Sequence, residues 1–290
     1  MQELSVIFLG TSAGTPSRER NVSSVAVVLD GTVVLFDCGE GTQHQFLRAP
    51  VKSGAVEAIC ITHLHGDHIY GLPGLLATLS MNGRERPLTL VGPDALREHV
   101  ECVLRTSHHN PLFPIELAQP PYRGDAFTIV AAPLEHSIPA IGYCLIEDDR
   151  PGEFDPQRAR DLGIPAGPEW NALQRAGDRR VCGPPRPGRR IAYVTDTRPC
   201  AAAIELARGA DVLIHESTYA EELRAEADAR MHSTAMGAAQ VAKEAGVARL
   251  ILTHFSTRYR DVAPLVAEAR EVFPNTDAAE DFATFRVPRR

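Results

Sequence analysis

The sequence predicts an α/β fold: two sheets back to back with helices outside, a four-layer αβ/βα sandwich built from two similar halves. Three observations lead there. Strand-like apolar runs dominate the first half of the chain, and helices alternate with strands through the second. A side chain of metal-ligand type follows closely on four of the apolar runs, the end at which open α/β sheets build their sites. A Rossmann fold is the competing architecture, but Gly10-Thr11-Ser12-Ala13-Gly14 after the first strand lacks the GxGxxG spacing.

The elements follow in order. Residues 4–9 read as a strand, followed by a loop over 10–16. Apolar runs at 24–29 and 32–36 flank Asp30-Gly31, a strong hairpin signal. Residues 37–42 turn the chain into a short helix around 43–47, and a strand over 55–61 runs into Thr62-His63. One helix is expected at 69–79, a strand at 88–91, and a helix near 95–104 with Pro93 just before it. Strands at 125–131 and 141–147 lie on either side of Leu134-Glu135-His136. From 148 to 190 the density of Pro and Gly argues for an extended excursion with helical turns at 156–162 and 169–175. The compact pattern then resumes with strands at 190–194, 211–215 and 250–253, helices at 200–208, 234–245 and 262–272, and a last strand near 282–287.

Composition narrows the function without assigning it. With 44% hydrophobic and 23% charged residues, the 290-residue chain is that of an ordinary globular enzyme. A net charge of -7 argues against a protein that coats DNA by bulk electrostatics, while leaving room for a local basic patch. The six cysteines are scattered with no CxxC pair, and Cys38, Cys60 and Cys144 read as small buried hydrophobes. No signal-like leader and no apolar run of membrane-spanning length occur, so a soluble cytoplasmic protein is expected.

The chemistry concentrates in His63-Leu64-His65-Gly66-Asp67-His68. If the strand path continues through residue 64, alternation puts His63 and His65 on one side, and Gly66 lets the chain fold Asp67 and His68 back toward the same volume. Three imidazoles and a carboxylate at a strand end supply nitrogen and oxygen ligands without sulfur, which suits zinc and nearly as well manganese or iron. His136, Asp196 and His254 each follow an apolar strand and complete the set. The expected division is His63, His65 and His136 on one metal and Asp67, His68 and His254 on the other. Asp196 bridges them, because a carboxylate has two oxygens to offer. Such a centre activates water at neutral pH and neutralises charge on a phosphoryl oxygen.

On these residues the chain resembles the bacterial ribonuclease Z branch of the metallo-β-lactamase superfamily. The superfamily likeness rests on residues 62–68 with His136, Asp196 and His254. The branch likeness rests on Pro16-Ser17-Arg18-Glu19-Arg20-Asn21, on residues 36–43 and 69–76, on His215-Glu216 and His232-Ser233-Thr234, and on residues 252–259. The resemblance implies the metallo-β-lactamase fold as one domain over residues 1–290. It implies two zinc ions per subunit, a homodimer, and cleavage of precursor tRNA that leaves a 3′-hydroxyl on the tRNA and a 5′-phosphate on the trailer. It makes Asp67 the proton acceptor and gives His232 a catalytic role. Arg18, Arg20, Asn21, Arg258 and Tyr259 become candidate substrate contacts, and Glu216 a group that orients a ligand imidazole. Val51, Lys52 and the helix at 69–79 are candidates for the subunit interface.

Residues 148–190 sit where that family carries its substrate-binding arm. Residues 163–168 resemble its Gly-Pro-rich part, while the stretch Leu173-Gln174-Arg175-Ala176-Gly177 resembles its leucine-lysine stretch with the lysine replaced, and the arm is shorter after Gly177. Arg158, Arg160, Arg175, Arg179, Arg180, Arg186, Arg189 and Arg190 give it a phosphate-grasping character. Two other readings differ in substrate or class: the same binuclear core acting on another RNA or a small phosphodiester, and an RNA-binding module with a structural metal. Seven ligands argue against the second, since structural zinc sites are closed and single.

Overall fold

The computed structural model describes residues 3–289. The first sheet has seven strands, in the spatial order Thr284–Arg286, Leu4–Gly10, Ser24–Leu29, Thr32–Phe36, Val56–Cys60, Leu88–Val91, Ile115–Ala118. The second reads Tyr122–Arg123, Phe127–Leu134, Ala140–Glu147, Arg190–Val194, Val212–Glu216, Leu250–Thr253, Thr276–Ala278. In both orders the first three pairings are antiparallel and the last three parallel. That repeat is the pair of similar halves the sequence suggests.

Alternation along the strands accounts for the layers. Leu4, Val6, Phe8, Val34 and Phe36 join Tyr143, Leu145, Ile191, Tyr193 and Ile251 in one core between the sheets. The intervening side chains face outward but are buried too. Ile7, Leu9 and Leu35 pack with Leu72, Leu75, Leu76 and Leu79 under helix Leu72–Met81. Ala192, Leu213 and Leu252 pack with Ala203, Ala207, Ala238 and Ala242 under the helices of the second half. Strands buried on both faces read as continuous apolar runs, which is the pattern the sequence carries. The four-layer α/β/β/α sandwich is therefore the fold.

Three differences from expectation bear on the site. The helix expected at 69–79 is broken into Gly66–Ile69 and Leu72–Met81. Gly71 lies at the break against the backbone of Gly39, where a Cβ would sit 1.9 Å from the carbonyl oxygen. The expected strand at 55–61 ends its ladder at Cys60, so His63 and His65 stand on irregular chain beyond it. The last strand, Thr284–Arg286, pairs with Leu4–Gly10 and so returns the end of the second half to the first sheet. A two-stranded ribbon, Ser12–Ala13 with Phe255–Ser256, ties the loops of the two halves together beside the site.

Residues 148–189 leave the second sheet between Ala140–Glu147 and Arg190–Val194. Bridges Arg150↔Arg186 and Phe154↔Cys182 hold its two limbs together. Its helices are Pro156–Asp161 and Pro168–Ala176, with a small apolar cluster of Ala159, Val181 and Cys182 against Phe154, Trp170 and Leu173. Asp155 caps the first of these helices by accepting from the backbone N–H of Gln157 and Arg158. Among the described residues no helix is long and apolar enough to cross a membrane.

Candidate metal centre

The seven expected ligand residues converge in space as two adjoining groups, His63/His65/His136/Asp196 and Asp67/His68/Asp196/His254. In the first, His65 Nδ1 lies 3.1 Å from His63 Nε2 and 3.2 Å from His136 Nε2. Nitrogens bound tetrahedrally at the usual zinc distance of about 2.0–2.1 Å stand roughly 3.3 Å apart, so the spacing suits a shared cation. In the second, His68 Nε2 lies 3.3 Å from Asp67 Oδ2 and 3.4 Å from Asp196 Oδ1, and His254 Nε2 lies 3.1 Å from Asp196 Oδ1. Asp196 turns its other oxygen, Oδ2, toward His63 and His136 at 3.6 and 3.7 Å.

Hydrogen bonds behind the rings decide which nitrogen each histidine presents. Buried Asp37 accepts from His68 Nδ1–H at 2.8 Å, from the Thr62 N–H at 2.8 Å, and from the Tyr193 hydroxyl at 2.9 Å. The Thr62 hydroxyl has one proton, given to Asp37 at 3.0 Å, so its lone pair accepts from His63 Nδ1–H at 3.0 Å. The other half repeats the device. Thr218 gives its proton to Glu216 Oε2 at 2.6 Å and accepts from His254 Nδ1–H at 2.9 Å, while Glu216 Oε1 accepts from His232 Nδ1–H at 2.9 Å. His136 Nδ1–H points to the Met231 carbonyl at 3.3 Å. His63, His68, His136 and His254 therefore turn bare Nε2 lone pairs inward, and His68 Nε2 is buried with no hydrogen-bond partner. A set of inward-facing ring nitrogens beside two carboxylates fits divalent cations.

The electrostatics are those of a cluster short of positive charge. Burial would lower His68, but Asp196, Asp37 and Asp67 outweigh it and raise His68 well above its ordinary value, which draws in a proton where a cation would sit. Burial, and then the neighbouring His68, push His63 down to about 2. Burial alone would raise Asp67 and Asp196, but the His68 and His254 imidazoles outweigh it and hold both carboxyls well below the usual range. His232 behaves oppositely. Burial disfavours its charge, yet Glu216, with Asp196 and Asp67 behind it, raises it to about 9. Its ring lies 5.1 Å from that of His136 and 5.7 Å from that of His254, so a protonated imidazole borders the cluster.

Backbone strain marks the same place. Asp37, Asp196 and His254 all have positive φ, at 57°, 51° and 57°, just past the ends of three strands. A left-handed residue there turns the chain sharply so that its side chain drops over the strand ends, at a cost of order 1–3 kcal/mol each.

The expected substrate contacts divide. Arg18 is exposed on its loop. Arg20 instead braces that loop: its Nη1 donates to Thr11 and to the Ala279 carbonyl, and its guanidinium lies 4.9 Å over the Phe255 ring. Asn21 does the same through Asp281 and the Glu40 carbonyl. The loop reaches the cluster through Gly14, whose N–H donates to Asp67 Oδ2 at 2.8 Å. Arg258 pairs with Glu226 at 3.1 Å and lies over Tyr219, and the Tyr259 hydroxyl accepts from the Ala220 N–H. On the arm, Arg189 is buried in a two-pronged ion pair with Glu147, which removes it from the phosphate-facing set. The apolar side of helix Leu72–Met81 faces the core, and so does Val51; among the described residues the large exposed hydrophobics are Leu47, Tyr70, Met81, Leu112 and, on the arm, Leu162. Asp37, Thr62 and Thr218 are the functional residues that the sequence reading assigned no task. Each stands just past the end of a buried strand, and Asp37 and Thr62 lie in segments that carry the family likeness.

Two back-to-back sheets with a paired His/Asp cluster at their strand ends define a metal-dependent hydrolase of the metallo-β-lactamase fold. Residues 181–255 match the family described as "Beta-lactamase superfamily domain", and residues 4–112 match "Anti-Pycsar protein Apyc1". Ribonuclease Z of Acaryochloris marina is 46% identical over 99% of this chain and 98% of its own. Ribonuclease Z of Geobacillus kaustophilus is 44% identical over 99% and 100%. The crystal structure of human tRNase Z, short form, superposes with a TM-score of 0.74 at 29% identity, covering 98% of this chain and 99% of that one. The chain belongs to the ribonuclease Z family.

Proposed function

We propose that the protein is an endoribonuclease that removes the 3′ trailer of precursor tRNA in the cytoplasm, leaving a 3′-hydroxyl on the tRNA and a 5′-phosphate on the trailer. The observation that carries the binuclear reading is Asp196, whose two oxygens face the two ligand groups separately. Two zinc ions per subunit, with manganese or iron as acceptable substitutes, would supply Lewis acidity and a lowered water pKa.

The chain's own groups divide the remaining work. Asp67 Oδ2 is committed to the Gly14 N–H and the second ligand group, which leaves Oδ1 to accept a hydrogen from the attacking water. Its carboxyl is held strongly anionic, so Asp67 orients that water and accepts its proton only in passing. His232 carries a proton at neutral pH and can deliver it to the departing 3′-oxygen. Arg18, exposed on its loop, is free to meet a phosphate, while Arg20 and Asn21 hold that loop in shape. Within one domain over residues 1–290, residues 148–190 serve as the substrate arm, with exposed Arg158, Arg160, Arg175, Arg179, Arg180 and Arg186 along them. Leu47, Met81 and Leu112, exposed by 84%, 86% and 72%, are apolar surface suited to a homodimer contact.

His65→Ala removes one nitrogen from the first group, and the expected result is loss of bound metal together with phosphodiester cleavage. Metal analysis alongside rates on precursor tRNA and on a small chromogenic phosphodiester checks it. Full activity with one bound metal would contradict the binuclear centre, and equal preference for both substrates would contradict the tRNA assignment.

A further inference from the structure

At the foot of the arm is a cavity of about 380 Å³ that the chemistry above does not use. It lies at the start of strand Arg190–Val194, whereas Asp196 follows the other end, so about 20 Å of strand separates it from the metal centre. Four arginines line it, Arg150, Arg186, Arg189 and Arg190, with one carboxylate, Asp211. Arg189 is neutralised by Glu147 through two bonds of 2.7 Å. Asp211 is engaged with the Arg190 backbone at 2.8 Å and offsets one of the three remaining cations. A positive excess stays in the cavity of a chain whose net charge is -7.

The arrangement of that excess is informative. Arg150 and Arg186 face each other across an antiparallel bridge, each backbone N–H donating to the other's carbonyl at 2.9 Å. Like charges held directly opposite are destabilising unless something of opposite sign sits between them. Arg289 adds to the repulsion: burial, then Arg289 and Arg186, lower the Arg150 pKa. Arg186 Nε donates to the Pro151 carbonyl at 3.3 Å, while Arg150 Nε is buried with no hydrogen-bond partner, so the bridged pair keeps guanidinium donors for an oxyanion with several acceptor atoms.

We propose that this cavity binds a phosphate group, at a site separate from the metal centre. Free inorganic phosphate and a phosphodiester of bound RNA present the same chemistry, and one experiment distinguishes them. The full-length, metal-loaded protein is titrated with inorganic phosphate while the amide resonances of Gly188 and Gly209, both in the cavity wall, are followed. Phosphate at the metal centre does not reach them. The expected result is a saturable shift of both, lost in Arg150→Gln/Arg186→Gln and kept in Arg150→Lys/Arg186→Lys, which also controls for folding. In parallel, KM is measured against salt for precursor tRNA and for a small chromogenic phosphodiester.

If an RNA phosphate occupies the cavity, the Gln pair raises KM for precursor tRNA several-fold. It also flattens the logarithmic salt slope by about one for each phosphate no longer neutralised. Shifts without that change identify free phosphate as the ligand. Unmoved glycine resonances together with an unchanged salt slope overturn the proposal. Failure to cleave tRNA at all would count against the activity assigned above and leave the phosphate titration intact.

Discussion

At the scale of single residues, the centre is governed by side chains that touch no substrate. Thr218 has one proton and gives it to Glu216, which obliges His254 to keep its proton on Nδ1 and its lone pair on Nε2. Thr218→Val removes both bonds, leaving His254 Nδ1 buried and unpaired at a cost of about 1–3 kcal/mol and Glu216 Oε2 with only the backbone N–H of residue 218 at 3.4 Å. Metal affinity at the Asp67/His68/His254 group should fall about 10- to 100-fold, as for other groups that orient a ligand. Thr218→Ser should restore it. Chelator competition reads the effect, and an unchanged affinity in the valine variant would show that His254 needs no such bond. His232 supplies a second test. Its folded pKa, about 9, lies above its unfolded value of about 6.5. Its charge therefore stabilises the fold fully below the unfolded value, and that contribution is lost as pH rises through about 9. The melting-temperature gap between wild type and His232→Gln should be widest near pH 6 and close by pH 10. A gap independent of pH would mean that the Glu216 contact carries no charge.

At the scale of elements, the sequence was most readable where strands are buried on both faces, as at residues 4–9, 24–29 and 250–253. It was least readable at sheet edges. Ile115–Ala118, Tyr122–Arg123 and Thr276–Ala278 are short and half-exposed, and no apolar run announces them. The break at Gly71 was hidden because its cause is the backbone of Gly39, far off in sequence. The seven ligand positions were legible because four of them cluster at residues 63–68 and the other three are histidine or aspartate after an apolar run. Asp37 also follows an apolar run, but its task, like that of Thr218, exists only when residues from separate strands meet. The bracing role of Arg20 was equally invisible, because Phe255 and Ala279 come from the other end of the chain. The arm was legible as an excursion, and its closed neck makes a clean test possible. Arg150 and Arg186 pair in register, so residues 152–185 can be replaced by a two-residue turn without opening the sheet. That variant should lose precursor tRNA cleavage far more than cleavage of a small chromogenic phosphodiester. Comparable losses on both would mean that the arm supports the fold and not the substrate.

At the scale of the whole molecule, the metal centre is also a joint. His63, His65, Asp67 and His68 follow the first sheet's strands, and His136, Asp196 and His254 follow those of the second. Cations bound there link the halves, and binding to the folded form alone stabilises it by mass action, about 4 kcal/mol at a thousandfold excess over Kd. Removing them restores mutual repulsion between Asp67 and Asp196 and leaves His68 Nε2 without a partner. The fold does not depend on the metal in the way a zinc finger does. The core between the sheets holds Phe36 stacked on Tyr193 at 5.2 Å and on Tyr143 at 5.8 Å, and Tyr143 reaches across to the Ile61 carbonyl at 2.6 Å. Each fully buried aromatic or branched side chain there contributes about 1.5–3 kcal/mol. Exhaustive chelation should therefore leave the far-UV circular dichroism unchanged while lowering the melting temperature by several degrees, reversibly on adding zinc. Loss of the far-UV signal on chelation would assign the folding energy to the metal instead of the apolar interface. An unchanged melting temperature would mean that the two halves are already locked without it.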